Sequence, residues 1–152
     1  MKLYIINGPN LNFLGIREPA IYGATTYADL VKMVTAHCKE RGIEAVCLQS
    51  NHEGALVDFI QEAYTEGADG IVINPGAYTH TSIAILDAVK SVMLPTVEVH
   101  ISRLEEREAF RQVSYIRAAC IATVSGHGVA GYSEAVDLLA SHIGSPFASD
   151  KK

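Results

Sequence analysis

Five short runs rich in Ile, Val and other aliphatic residues recur along the chain, at Leu3 to Asn7, Ala45 to Gln49, Gly70 to Asn74, Thr96 to Ile101 and Cys120 to Ser125. They lack the strict polar alternation of a strand with one wet face, so they predict strands buried on both sides. Amphipathic helical patterns separate them. Thr25 or Thr26 can cap a helix that presents Leu30, Val31, Val34 and Cys38 on one face and stops at Gly42. A second helix is expected from about His52 to Glu66, with Ser50 and Glu53 as a capping box and Leu56, Phe59, Ile60 and Ala63 turned inward. A third runs from about Thr81 to Val92, ahead of Pro95, and a fourth from about Ser133 to Ile143, closed by Gly144. Strand–helix units of about 30 residues call for parallel strands with right-handed crossovers, which puts helices on both faces of one sheet.

The fold class read from this pattern is α/β: a flavodoxin-like, doubly wound, five-stranded parallel sheet. A chain of 152 residues has the length of one domain, taken here as residues 1–144, and Ser145 to Lys152 reads as a polar C-terminal tail. In such sheets ligands sit beyond the carboxyl ends of the strands, where the strand order reverses, and the segments at Asn7, Asn74 and His100 fall at such ends. The formal net charge of −5 gives no general attraction to polyanions, which argues against nucleic acid and acidic membrane surfaces as partners. The opening residues enter a strand too short for a signal peptide, and no apolar stretch reaches a membrane span, so a cytoplasmic location is expected. Cys38, Cys47 and Cys120 show no paired spacing and read as reduced, mostly buried thiols, the first on a helix and the other two within strands.

Chemistry concentrates in two places. Glu98 and His100 are two apart on a predicted strand, so both side chains leave one face and the carboxylate can bond one imidazole nitrogen. Two solvated side chains on an edge strand would be the alternative, but the apolar Val97, Val99 and Ile101 favour burial, where an unpaired Glu is costly. The loop from Asn7 to Gly23 holds Gly8, Pro9, Gly15, Pro19 and Gly23, which resist regular structure, together with Asn10, Arg17 and Tyr22. A phenol near pKa 10 becomes a usable base beside a cation, which can lower it by roughly 1 to 3 units. Arg17 and Tyr22 by themselves are equally compatible with an ordinary surface loop, and Asn10 with a turn residue bonding its own backbone.

Taken together, the loop from Asn7 to Gly23, the segment Asn74-Pro75-Gly76-Ala77-Tyr78-Thr79-His80-Thr81-Ser82 and the run Glu98-Val99-His100-Ile101-Ser102 resemble type II 3-dehydroquinate dehydratase, or type II dehydroquinase. The resemblance runs from about Leu3 to Ile143 with the motifs in the family's order. It implies a lyase for the reversible anti dehydration of 3-dehydroquinate to 3-dehydroshikimate through an enolate, with no Schiff base and no cofactor. By this resemblance Tyr22 is the general base, Arg17 its lid-borne activator, and Asn10 stabilises the enolate through an ordered water. His100 is the general acid, oriented by Glu98. Asn74, Ile101 and Ser102 would hold the substrate carboxylate, His80 and Arg111 the ring hydroxyls, and Gly76 lies in the same binding segment. Asp87 would reach the site of a neighbouring subunit in a homododecamer, a tetramer of trimers. The same step serves the shikimate pathway of aromatic amino acid biosynthesis and quinate catabolism.

Other patterns carry less. Arg111 lies in the charged stretch Arg103 to Arg117, which could be a laced exposed helix, and His80 could be a neighbour of a helix cap. Gly126-His127-Gly128-Val129-Ala130-Gly131 satisfies a dinucleotide fingerprint formally, but too few residues follow for the next strand and its acidic ribose partner. A flavodoxin-like nucleotide- or flavin-binding module is therefore the alternative function, weakened by the want of a phosphate cradle. The 6 histidines show no metal-ligand spacing, so no metal is implied. All lysines fall at the termini or on predicted helices, none placed for imine chemistry.

Overall fold

The computed structural model describes residues 1–144; the polar tail lies outside the described residues. Five strands, β1 (Lys2–Asn7), β2 (Glu44–Gln49), β3 (Gly70–Asn74), β4 (Thr96–His100) and β5 (Ala122–Ser125), form one parallel sheet in the order β2-β1-β3-β4-β5. The order reverses between β1 and β3, and there Asn7 and Asn74 end their strands side by side in register. This is the flavodoxin-like topology.

The continuous apolar runs make sense once both faces are counted. Leu3 and Ile5 of β1 join Val72, Val97, Val99 and Val124 in one buried layer, while Tyr4 and Ile6 join Ile71 and Ile73 in the other. Helices α2 (Tyr27–Glu40) and α5 (Ala130–Ile143) cover the first layer through Leu30, Val34, Cys38, Val136 and Leu139. Helices α3 (Glu53–Thr65) and α4 (Ile83–Val92) cover the second through Leu56, Ile60, Ile85 and Val89. Each such side chain contributes roughly 1.5–3 kcal/mol by leaving water, so neither layer can be lost without loss of the fold.

Helix ends follow capping chemistry with some departures from expectation. Thr26 forms a full capping box with Asp29 at the start of α2, and Gly42, at φ 67, follows its end. The box expected at α3 does not form: His52 is the N-cap and makes no side-chain cap bond, because the Ser50 hydroxyl turns back to accept the N–H of His52 at 3.0 Å. Ser82 caps α4 by accepting the Ile85 N–H, and α5 starts at Ala130, three residues earlier than expected. Cys120 stands outside the strand assigned to it, at the end of the 3-10 turn Ile116–Ala119, where its Sγ–H donates to the Ile116 carbonyl. Burial pushes the thiols of Cys38 and Cys120 up, to about 11 and about 12, in keeping with inert buried thiols.

Two stretches expected to be irregular or helical differ from both. The loop after β1 contains a 3-10 turn, Leu11–Phe13, and a four-residue helix, α1 (Pro19–Tyr22), started by Pro19 at its first position and ended by Gly23. The charged stretch after β4 forms no laced helix. It breaks into the 3-10 turns Leu104–Glu106, Ala109–Arg111 and Ile116–Ala119, because Leu104 and Ile116 are drawn into the interior at a spacing no single exposed helix provides.

Candidate active site

Two loops dovetail at the point where strand order reverses. A Cβ on Gly8 would lie 2.4 Å from the Pro75 carbonyl oxygen, and one on Gly76, at φ 59, would lie 3.1 Å from Pro9, so each loop fits only a glycine of the other. Beneath them, the Asn74 amide donates to the Tyr132 hydroxyl at 2.9 Å, Tyr132 donates to Asn7 Oδ1 at 2.6 Å, and the Gly76 N–H donates to Asn74 Oδ1 at 3.1 Å. The result is a rigid floor. Over it opens a cavity whose wall includes Asn10, Arg17, Tyr22, Asn74, His80, His100, Arg107 and Arg111. Asn10 holds a left-handed φ of 67, a conformation asparagine tolerates, and its N–H donates to Asn51 Oδ1 at 2.9 Å. Gln49 donates to the same oxygen and to the Gly8 carbonyl.

On one side of the cavity stands the Glu98–His100 pair, both buried at the end of β4. His100 Nε2 lies 2.7 Å from Glu98 Oε1, the same-face geometry that two-residue spacing on a strand dictates. Burial alone would raise the Glu98 carboxyl; bonds from His100, Thr79 and Ser114 and the His100 charge outweigh it and hold the group at about 2. A permanent carboxylate accepts only, so the imidazole directs its Nε2–H at Glu98 and leaves Nδ1 for the cavity.

Tyr22, the last residue of α1, lines the same cavity. The Arg17 guanidinium lies over the Tyr22 ring, 5.1 Å from its centroid, while its Nε pairs with Glu18 at 3.1 Å. The cation at the phenol oxygen is a different one. Arg107 Nη1 donates to the Tyr22 hydroxyl at 3.1 Å and to the Ser102 hydroxyl at 3.2 Å. Contact with that hydroxyl pushes the Arg107 guanidinium above its ordinary value, a further sign that the two groups act as a unit.

A paired carboxylate and imidazole on one wall, with a cation-bound phenol on another, are groups suited to moving one proton off a small polar molecule and another onto it. Residues 1–140 match the family model described as dehydroquinase class II. The chain belongs to the class II dehydroquinase family. A 3-dehydroquinate dehydratase of Clostridium perfringens strain 13 is 53% identical over 143 residues, covering 94% of this chain and 98% of the relative. The type II dehydroquinase of Butyrivibrio crossotus DSM 2876 superposes with a TM-score of 0.92 at 56% identity, covering 93% of this chain and 98% of that one. The type II dehydroquinase of Propionibacterium acnes gives 0.88 at 38% identity, covering 92% and 96%. The resemblance read in the sequence therefore holds, and with it an enzyme of the lyase class.

The class II dehydroquinase chain gathers most of the expected residues around one space. Gly76, Ile101 and Ser102 line the cavity with Asn74 and Asn10. His80 Nδ1 donates to the Val113 carbonyl at 2.7 Å, which leaves Nε2 as its free nitrogen. Burial lowers its pKa, and His100 and Arg111 add to that, so a neutral ring is favoured. Arg111 is anchored by Glu108 at 2.8 Å. Asp87 is not among the lining residues; it stands exposed on α4. Sequence reasoning missed Arg107, which it had counted within a charged run, and also Asn51, Thr79 and Ser114.

The glycine-rich segment after β5 serves the site without cradling a phosphate. The N–H groups of Gly126 and Gly128 donate to the His100 and Ile101 carbonyls, and a Cβ on Gly126 would lie 2.3 Å from Arg103 Cγ. Its amides lock the turn after β4. Among the described residues no helix is long and apolar enough to cross a membrane, and no group of His, Cys, Asp and Glu is arranged to hold a metal ion.

Proposed function

We propose that the chain catalyses the reversible anti dehydration of 3-dehydroquinate to 3-dehydroshikimate by way of an enolate. The observation that carries this reading is that one cavity is lined both by a phenol bonded to Arg107 and by an imidazole bonded to a permanent carboxylate. Tyr22, as phenolate, removes the proton next to the ketone. Arg107 and Arg17 compensate the negative charge on the phenol, the first at its oxygen and the second over its ring. Asn10, with a water, stabilises the enolate oxygen, and its fixed backbone spares reorganisation during the step. His100 gives the Nδ1 proton to the departing hydroxyl, which leaves as water, and Glu98 balances the imidazolium before the transfer. Acid and base on different walls account for the anti course.

Asn74, Ile101 and Ser102 form the carboxylate end of the binding site, with Gly76 beside them, and His80 and Arg111 take the ring hydroxyls. Among the described residues that line the cavity none is a lysine, in keeping with a route without a Schiff base. Assembly as a homododecamer, with Asp87 turned toward a neighbouring site, is supported by the exposed Ile83 on α4 and the exposed Phe110, Val113, Tyr115 and Ile121 beyond it.

An ultraviolet assay for the conjugated enone carboxylate formed from 3-dehydroquinate tests the activity. Rising absorbance is expected, and a flat trace from folded protein would remove the reading. Borohydride added with substrate should leave the protein unmodified; a trapped lysine adduct would contradict the enolate route.

A further inference from the structure

Glu98 has more donors than the orientation of one imidazole requires. Its Oε1 accepts from Thr79 Oγ1 at 2.5 Å, from Ser114 Oγ at 2.7 Å and from His100 Nε2 at 2.7 Å, while Oε2 accepts from Thr123 Oγ1 at 3.2 Å. Proton counting gives the direction of these bonds. An ionised carboxylate only accepts, so the 2.7 Å contact takes the single Ser114 proton, and Ser114 Oγ in turn accepts the Arg117 backbone N–H at 3.1 Å. Thr79 Oγ1, 3.0 Å from Ser114 Oγ, directs its own proton to the same carboxylate oxygen. A carboxyl proton on Oε1 would meet three donors head-on.

We propose that Thr79 and Ser114 are positioning residues for the general acid: a pair of hydroxyls that keeps Glu98 accepting only, so that His100 presents Nδ1, and no other nitrogen, to the cavity. The proposal rests on the reading of His100 as the acid. The other groups near the carboxylate do not replace the clamp. Arg117 Nε stays 3.7 Å from Oε2 on a half-exposed side chain, and His80 and Cys120 make no hydrogen bond to either oxygen.

The clamp also joins elements that are remote in sequence. Thr79 lies on the 3-10 turn Gly76–His80 that follows β3, and Ser114 lies between the turn carrying Arg111 and the one starting at Ile116. The Tyr115 N–H donates to the Thr79 carbonyl at 3.0 Å, and His80 bonds Val113 in the same way. The acid is thus set in place by the two segments that bring His80 and Arg111 to the cavity, which couples its aim to the residues beside it.

The test uses Thr79→Val, which keeps the shape and removes the donor, with Thr79→Ser as the conservative control, each in the natural protein and in a Glu98→Gln background. With 3-dehydroquinate as substrate, Thr79→Val should lower kcat about tenfold with KM changed by less than about twofold, and Thr79→Ser should retain the natural rate. In the Glu98→Gln background Thr79→Val should cost nothing further. Side-chain nitrogen NMR, read at a pH where the His100 ring has lost its transferable proton, should show the Nε2–H tautomer in the natural protein and a mixture in Thr79→Val. A natural rate in Thr79→Val, equal losses in both backgrounds, or a Thr79→Ser as slow as Thr79→Val would each overturn the proposal. Should Thr79→Val fail to fold, Ser114→Ala decides on the same criteria. If the natural protein does not dehydrate 3-dehydroquinate at all, the dehydratase reading fails by itself. The NMR tautomer still judges the clamp, and an Nδ1–H ring would end it.

Discussion

His100 and Tyr22 line one cavity, yet the chain holds them by opposite means. His100 ends a central strand, 5% exposed, and its partner Glu98 is fully buried and accepts from His100, Thr79, Ser114 and Thr123. Tyr22 ends a four-residue helix entered through Glu18 at a left-handed φ of 39 and left through Gly23, with no other atom within 4 Å of where a Cβ on that glycine would be. The strand side gains its precision from the sheet, whose hydrogen bonds cannot shift one residue without moving the whole core. The helix side gains it from two arginines that meet the ring and its oxygen. One group is set by the register of the sheet; the other is set by side-chain contacts between loops.

The largest expected effects test whether the two sides contribute alike to the chemistry. His100→Ala and Tyr22→Phe should each lower kcat by about 10³-fold or more in the enone assay. Thermal unfolding should separate them: Tyr22→Phe should melt as the natural protein does, whereas His100→Ala removes one of the donors to the buried Glu98 and should melt earlier.

Next in size is an acid sensitivity centred on the buried carboxyl of the strand side. Folding lowers the Glu98 carboxyl from 4.5 to about 2. That group's contribution to stability is therefore complete above the ordinary carboxyl value and is lost as the pH falls from about 4.5 toward 2, on the order of 3 kcal/mol in all. Urea unfolding at a series of pH values should show this decline, and Glu98→Gln should lack it. A slope equally steep in the variant would assign acid lability to another group.

The helix side has its own intermediate test. Arg107→Ala removes the charged donor at the Tyr22 oxygen and should cut kcat by about 10- to 100-fold. A rate within twofold of natural would leave Arg17 as the sole activator. The smallest effect concerns the floor between the two sides: Asn51→Ala, which frees the Asn10 N–H, should lower kcat by about fivefold, and Asn51→Asp, which keeps the acceptor, should be milder.

These tests fall unevenly on what could be read from the chain. The Glu98–His100 pair was legible because its geometry is local: two residues apart on a strand means one face. The strands were legible for the same reason, their ends shifting by one or two residues where ladders fray. Arg107 was not, since it meets a tyrosine 85 positions earlier, and its run of alternating charges suggested an exposed helix. Only the burial of Leu104 and Ile116 turns that run inward. Thr79, Ser114 and Asn51 carry side chains common in any turn, so nothing about them stands out until Glu98 and Asn10 are beside them. Ser50 failed in the other direction: its spacing to Glu53 suited a capping box, but its hydroxyl found the nearer His52 N–H.

Periodicity, turn residues and the motifs at three strand ends determined, from the sequence alone, a five-stranded parallel sheet, the family and the pairing of Glu98 with His100. Such features depend on neighbours along the chain, whose relative directions covalent geometry sets. Which guanidinium meets the phenol, which hydroxyls surround Glu98 and which amide steadies Asn10 were decided only when loops from separate crossovers packed against one another. Those contacts depend on how the layers close, and chain connectivity alone leaves that open.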